Sequence, residues 1–157
     1  MEIRKATKSD LPTVVSLNDT VQKIHAEAHP HLFKYPVDLS ALEAFFEKMI
    51  DQLNGLIFIT FSDTGDPAGY ICAVIHCVPE NPFKFEQRVM YIDQMVVSSA
   101  YRNIGVGRML MEKVEEYAKD LEADRIELGS WMFNQGAHKF FEKLGFSKFK
   151  AAFWKSI

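Results

Sequence analysis

Ser98-Ser99-Ala100-Tyr101-Arg102-Asn103-Ile104-Gly105-Val106-Gly107-Arg108 is the stretch from which the rest of the chain can be read. Before it, Val89 to Val97 is an apolar, β-branched run that predicts a strand. After it, Gly105 to Leu121 predicts a helix, with Val106, Leu110, Val114, Tyr117, Ala118 and Leu121 along one stripe. The segment therefore leaves a strand, turns on glycines and opens a helix. Gly105 and Gly107 let the backbone approach a ligand with no Cβ in the way. The unpaired N–H groups of a helix start point outward, with the positive end of the helix dipole behind them. That is an anion site, and a pyrophosphate fits it. Arg102 and Arg108 add charge beside it. Leu110 stands where the dinucleotide fingerprint has its third glycine, and no Gly-Lys-Ser/Thr follows. The plain alternative is two glycines in a tight strand–helix turn.

Working outward, Glu2 to Ala6 reads as a short strand. Ser9 or Asp10 can cap a helix with Pro12 in its first turn and Leu11, Val14, Val15, Leu17, Val21 and Ile24 inward. Ser40-Ala-Leu-Glu43 has the form of a capping box and opens a helix with Leu42, Phe45, Phe46, Met49 and Ile50 inward. Leu56–Phe61 and Ala68–Val78 form a hairpin around the turn at 62–67, and Pro79 to Arg88 is a polar loop. Arg125 to Ser130 is a strand. A helix with Ala137, Phe140, Phe141 and Leu144 inward follows, and Gly145 ends it. Phe146 to Ile157 is a last strand or a broken pair. The order β-α-α-β-β-β-α-β-α-β is a mixed α/β (α+β) domain.

At 157 residues, the chain matches a single domain of roughly 150 residues, 1–157, large enough to do without disulfide or metal staples. Thirteen Phe argue for a sizeable core or an apolar ligand channel. Eighteen Lys and Arg against 21 Asp and Glu leave a net charge of −3, which argues against nucleic acid as a partner. The exception is local: Lys139, Lys143, Lys148, Lys150 and Lys155 face a single acid, Glu142, either as a solvated face or as a contact for a phosphate-bearing ligand. No run is long enough to span a membrane, and the opening residues lack a signal peptide's apolar stretch, so the expected location is cytoplasmic. Cys72 and Cys77 on one strand would be ~16 Å apart, which predicts two reduced core thiols and no disulfide.

A second motif lies downstream. Trp131-Met-Phe-Asn134-Gln-Gly-Ala137-His-Lys-Phe140-Phe141-Glu-Lys-Leu-Gly145-Phe146 is similar to motif B of the GNAT superfamily of acyl-CoA-dependent N-acyltransferases, N-x-x-A-x-x-F-Y-x-x-x-G-F. The run from Val96 through Arg102 and Gly105-Val-Gly107 to Leu110 resembles motif A of the same family. Residues 1–60 resemble it only in pattern.

The resemblance implies a mixed, mostly antiparallel sheet with helices on both faces, and a cofactor cleft where two parallel strands, 89–97 and 125–130, splay apart. Backbone groups of Met95, Val96 and Val97 would pair with the pantetheine arm of acetyl-CoA. The same strand would supply an N–H to the thioester oxygen. Amides of Arg102, Asn103, Ile104, Gly105, Val106, Gly107 and Arg108 would hold the pyrophosphate. Asn134 would contact the pantetheine region, cap its helix, or do both. An amine attacking a thioester must lose a proton, since a primary amine is mostly protonated at neutral pH. Asp93 is the candidate base, and a structural carboxylate is the alternative. Strand alternation would set Tyr91, Asp93, Met95 and Val97 on one face. Phe141 departs from the family tyrosine that protonates the leaving thiolate. Water, His138 or Tyr91 could replace it, the thiolate could leave unaided, or the chain could bind acyl-CoA without turning it over.

His25, His29 and His31 include no H-E-x-x-H, so no metal is expected. In similar proteins the first helices wall the acceptor site. His25, Glu27, His29 and Phe33 either line that wall or are solvated, and Tyr35, Phe83 and Phe85 would make it aromatic. The expected function is acetyl transfer from acetyl-CoA to a primary amine, small-molecule or peptide. Relatives that dimerise through the final strand imply a homodimer over Phe149, Phe153 and Trp154.

Overall fold

The structure, a computed structural model, describes residues 1–52 and 54–157. A five-stranded sheet runs in chain order: β1 (Glu2–Lys5), β2 (Gly55–Phe61), β3 (Pro67–Val78), β4 (Gln87–Val97) and β5 (Arg125–Leu128). Neighbours are antiparallel except β4 and β5, which are parallel. That exception needs a crossover, and α3 (Val106–Asp120) supplies it. The remaining helices are α1 (Leu11–Ala28), α2 (Leu39–Asp51) and α4 (Gln135–Lys143).

Two apolar layers sandwich the sheet. On one face, Val106, Leu110, Met111, Val114 and Ala118 of α3 pack on Phe58, Ile71, Met90 and Ile92, with Phe140 and Phe141 of α4 and the following Leu144 at the margin. On the other, Leu11, Val14, Val15, Phe46 and Met49 of α1 and α2 pack on Ile57, Ile59, Tyr70 and Cys72. Strand β3 is central and buried on both faces, so Ala68 to Ile75 is a continuous buried run. Among the described residues, no helix is long and apolar enough to cross a membrane.

The expected order holds from the first strand through α4. The last strand does not form: Phe146 to Ile157 joins no ladder and leaves Phe149, Phe153 and Trp154 exposed. A strand exists only with a hydrogen-bonded neighbour. Local details also differ. Asp38 caps α2, accepting from Ala41 N–H at 3.0 Å, so the helix begins before the Ser40–Glu43 pattern. Asn18 replaces Ile24 on the buried face of α1, and Phe45 is exposed on α2. Cys72 is buried but Cys77 is exposed; both are free. Phe83 and Phe85 stand in solvent and wall nothing.

The entry to α1 is held by Asp10, although its side chain does not cap the helix. The buried carboxylate turns back to accept two bonds from Arg4, both 2.8 Å, and one each from Thr7 N–H (2.8 Å) and Oγ1 (2.9 Å). The Arg4 guanidinium, chiefly, and then the Thr7 donors hold its pKa well below the carboxylate range, against a smaller upward push from burial. Asp10→Asn should therefore lower stability at pH 7 by about 1–2 kcal/mol, since part-exposed Arg4 is screened by water. A depressed folded pKa contributes stability above the unfolded value and loses it as pH falls through the folded one. The gap between wild type and variant in urea unfolding should shrink on acidification below about pH 4.

Candidate active site

Strand β4 carries one residue too many for its partner. Cys72 of β3 opposes Gln94, and Ala73 opposes Ile92, which leaves Asp93 unpaired as a β-bulge. The bulge reverses the parity of the strand. Met90 and Ile92 before it, and Met95 and Val97 after it, all pack on the α3 face. Tyr91 pairs with Val74, a residue of the opposite layer. Tyr91 therefore does not share a face with Met95 and Val97, as simple alternation predicts.

The bulge also ends the parallel pairing. The β4–β5 ladder runs from Val89–Arg125 to Ile92–Leu128 and stops there. Beyond it, β4 continues to Val97 while β5 has ended, so the edge of residues 93–97 is unpaired on that side. Between the diverging chains lies a cavity of about 280 Å³. Asn18, Val21, Gln22 and His25 of α1 form one wall, one helical face at i, i+3, i+4 and i+7. Phe33 joins them from the loop after α1. Ile92 to Val96 form the floor, Leu128 to Trp131 the far side, and Asn134, Ala137 and Phe141 of α4 the remaining wall. The side chains of Met95 and Val96 belong to opposite core layers. What this length of strand offers the cavity is its backbone edge.

His25 and Asp93 are the two ionisable side chains on the wall among the described residues. Asp93 is open to the cavity, yet the protein around it removes enough water to push its carboxyl pKa upward. Its neighbour Gln94 is tied down. Gln94 Oε1 accepts from Asn18 Nδ2 and from the buried Tyr70 hydroxyl, both at 2.9 Å, and Asn18 Nδ2 also donates to that hydroxyl at 2.9 Å. This triangle joins α1, β3 and β4 under the cavity. Burial pushes the Cys72 thiol far up and the charge on Asp93 adds to it, so Cys72 is an inert thiol.

The loop after β4 leads into α3 through Gly105 at φ +95°, with Asn103 also left-handed at φ +63°. Met109 N–H bonds Gly105 O at 3.0 Å, and no side chain caps the helix, so the amides of Val106, Gly107 and Arg108 keep no acceptor from their own turn. The two glycines serve different ends. A Cβ on Gly105 would meet nothing within 4 Å, so the open approach and the positive φ are its reasons. A Cβ on Gly107 would lie 3.0 Å from Phe140 and 3.1 Å from Met95, so Gly107 lets α3 sit close to α4 and β4. Arg102 is drawn back, Nε donating to Val97 O at 3.2 Å. Unpaired amides at a bare left-handed turn can accept an anion, and the free strand edge beside them borders the cavity.

Among the other expected residues, Asn134 lines the cavity and caps α4, its Oδ1 accepting from Ala137 N–H at 3.1 Å. Phe141 also lines it. His25 and Phe33 are brought to the wall, and His29 lies behind it against Trp131 and Phe133, with ring centroids at 5.2 and 5.6 Å. Glu27 is not brought to the cavity, because it lies on the exposed side of α1. His138 is buried on α4 and Tyr91 ends beside Gly129 at the rim, so neither side chain lines the cavity. No cluster of metal-ligating side chains occurs among the described residues. Sequence reasoning missed Asn18, Gln22, Gln94, Ser130 and Trp131. Asn18 carried a signal, a polar residue on the apolar stripe of α1 that demands a buried partner.

The profile of the acetyltransferase (GNAT) family matches residues 18–146. An uncharacterized N-acetyltransferase of Methanocaldococcus jannaschii is 26% identical over 93% of this chain, and the chain spans 60% of that relative's length. A tetramutant of the BH1408 protein from Bacillus halodurans superposes with a TM-score of 0.92 at 23% identity, covering 100% of both chains. An aminoglycoside N-acetyltransferase in complex with CoA, AAC(6')-Iy, has a TM-score of 0.77 at 18% identity, over 99% of this chain and 93% of its own. These two likenesses are of fold. The profile match covers most of the chain, including the free edge of β4, the glycine turn and α4, and the chain belongs to the GNAT family of acyl-CoA-dependent acetyltransferases.

Proposed function

We propose that the chain moves an acetyl group from acetyl-CoA to a primary amine by direct attack on the thioester, and that the acceptor is a small amine. The observation that carries this reading is the juxtaposition within residues 93–108: a free strand edge, a cavity with one carboxylate, and unpaired helix-start amides. Bound acetyl-CoA would supply the activated acetyl group. The amides of Val106 to Arg108 bind its pyrophosphate, and the edge of Met95 to Val97 orients the arm along the cavity. A backbone N–H of the same edge donates to the thioester oxygen as charge builds there. Asn134 and Phe141 close the arm's other side. Asp93 takes the amine proton directly or through a water.

Phe141 leaves the leaving thiolate without a phenol, and the observation favours a second reading, an acyl-CoA binder that does not turn over. A thiolate of pKa about 8.5, by analogy with cysteine, departs tolerably without a donor, which keeps catalysis the preferred reading. The small volume of the cavity, about 280 Å³, favours a small acceptor over a protein amine. The deciding experiment is thiol release from acetyl-CoA across a panel of small amines, amino sugars and peptides. The aminoglycoside substrates named for a structural neighbour belong in that panel.

Gly105→Asp should abolish acetyl-CoA binding in calorimetric titration, since it strains a left-handed turn and puts a negative charge where phosphates belong. Unchanged affinity would remove the loop from the binding site.

Asp93→Asn should lower kcat well beyond any loss of acetyl-CoA affinity, since a base acts in the transition state. Asp93 works only when ionised, and its pKa is raised, so the acidic fall in rate should begin above the ordinary carboxylate range. The variant should lose that limb; an intact profile and rate would make Asp93 structural.

Phe141→Tyr should hold or raise the rate if the restored phenol reaches the thiolate. A large fall would mean that the Phe141 ring packs on the acceptor or the acyl group.

A further inference from the structure

Part of the cavity wall is built from rings. His25 stacks on Phe33 with centroids 5.0 Å apart and planes 24° from parallel. Phe33 meets Trp131 edge to face at 5.1 Å. These three side chains line the cavity from α1, the loop after it and the loop after β5. A second tier holds them: Phe133 lies 5.8 Å from His25, and His29 lies 5.2 Å from Trp131. The collar is therefore braced from behind, so its rings are pre-set rather than gathered by a ligand. Burial, and then the neighbouring His29, lower the pKa of His25, which favours an uncharged imidazole in the collar.

The rest of the wall limits charge. Among the described residues, Asp93 is the one carboxylate lining the cavity, and Val21, Ile92 and Leu128 are apolar. One ammonium finds a carboxylate and ring faces there; a second or third would be stripped of water with no partner. Space is also limited. The 280 Å³ must hold the acyl end of the thioester as well, against about 300–1,000 Å³ for ordinary ligand pockets.

Resting on the reading of this cavity as the acceptor site, we propose that the acceptor is a singly charged primary amine carried on an aromatic body. Its ring lies against the cluster of His25, Phe33 and Trp131 where these rings face the cavity, and its amine reaches Asp93. The geometry of the collar selects the body, and the lone carboxylate selects the charge.

The test separates binding from turnover. Calorimetric titration of the CoA-loaded protein would compare 2-phenylethylamine, n-hexylamine, a polycationic amino sugar and a tripeptide with a free N-terminus. Expected is 2-phenylethylamine tightest, with a Kd about tenfold below that of n-hexylamine. Trp131→Leu should raise the Kd of 2-phenylethylamine about tenfold, change that of n-hexylamine less than about twofold, and leave CoA affinity intact; Trp131→Phe should restore most of the loss. Equal or tighter binding of n-hexylamine, the amino sugar or the tripeptide overturns the proposal. So does a loss in Trp131→Leu shared equally by all ligands, or binding of none. Thiol release is read in parallel with acetyl-CoA. Selective binding without release upholds the acceptor class and overturns the transferase; release without ring selectivity does the reverse.

Discussion

One extra residue in β4 sets the geometry of the whole site. Asp93 has no opposite number on β3, so the ladder slips there and the strand bends. The bend has three consequences at once. It ends the pairing with β5 after Ile92, which opens the cavity. It returns Met95 and Val97 to the α3 core, so the strand stays anchored while its edge is free. It also turns the unpaired residue, a carboxylate, out to the cavity floor.

Helix α1 provides the opposing wall, and its position is held at its start and at its middle. The Arg4–Asp10–Thr7 cluster pins its start to β1. Farther along, Asn18 shares bonds with Tyr70 and Gln94, which sets the distance between helix and sheet at the cavity itself. Only then do Val21, Gln22 and His25 come to the wall, where Phe33 stacks on His25 and Trp131 meets Phe33 from another segment. Buried hydrogen bonds are directional, so such a triangle specifies spacing in a way that apolar packing does not.

Gly105 and Gly107 look alike in sequence but answer to different forces. Gly105 sits in a left-handed turn facing open space, a conformational demand. Gly107 sits where Phe140 and Met95 press on the helix, a packing demand. Through that contact the glycine turn, the strand edge and α4 form one packed unit. Phe140 and Phe141, adjacent on α4, then divide their duties: the first meets α3, and the second lines the cavity.

The order of elements, the two core faces, the glycine turn and the two family motifs were legible in the sequence, because each is written in local periodicity and spacing. Asn134 and Phe141 could be named from the second motif, Asp93 from the strand before the first, and His25 and Phe33 from the place of the first helices, and all five line one cavity. What local pattern could not carry was relative placement. The bulge at Asp93 is a mismatch between two strands and leaves no mark in either alone, so Tyr91 could be assigned to the wrong face. Glu27 shares a short segment with His25, but a helix turns two residues through about 200°, which carries it out to solvent. Trp131, Gln94 and Asn18 enter the site only when chain segments far apart in sequence are brought together. The final aromatic segment failed to become a strand for the same reason: a strand is a property of a pair, and the sequence of one partner does not state that the other is there.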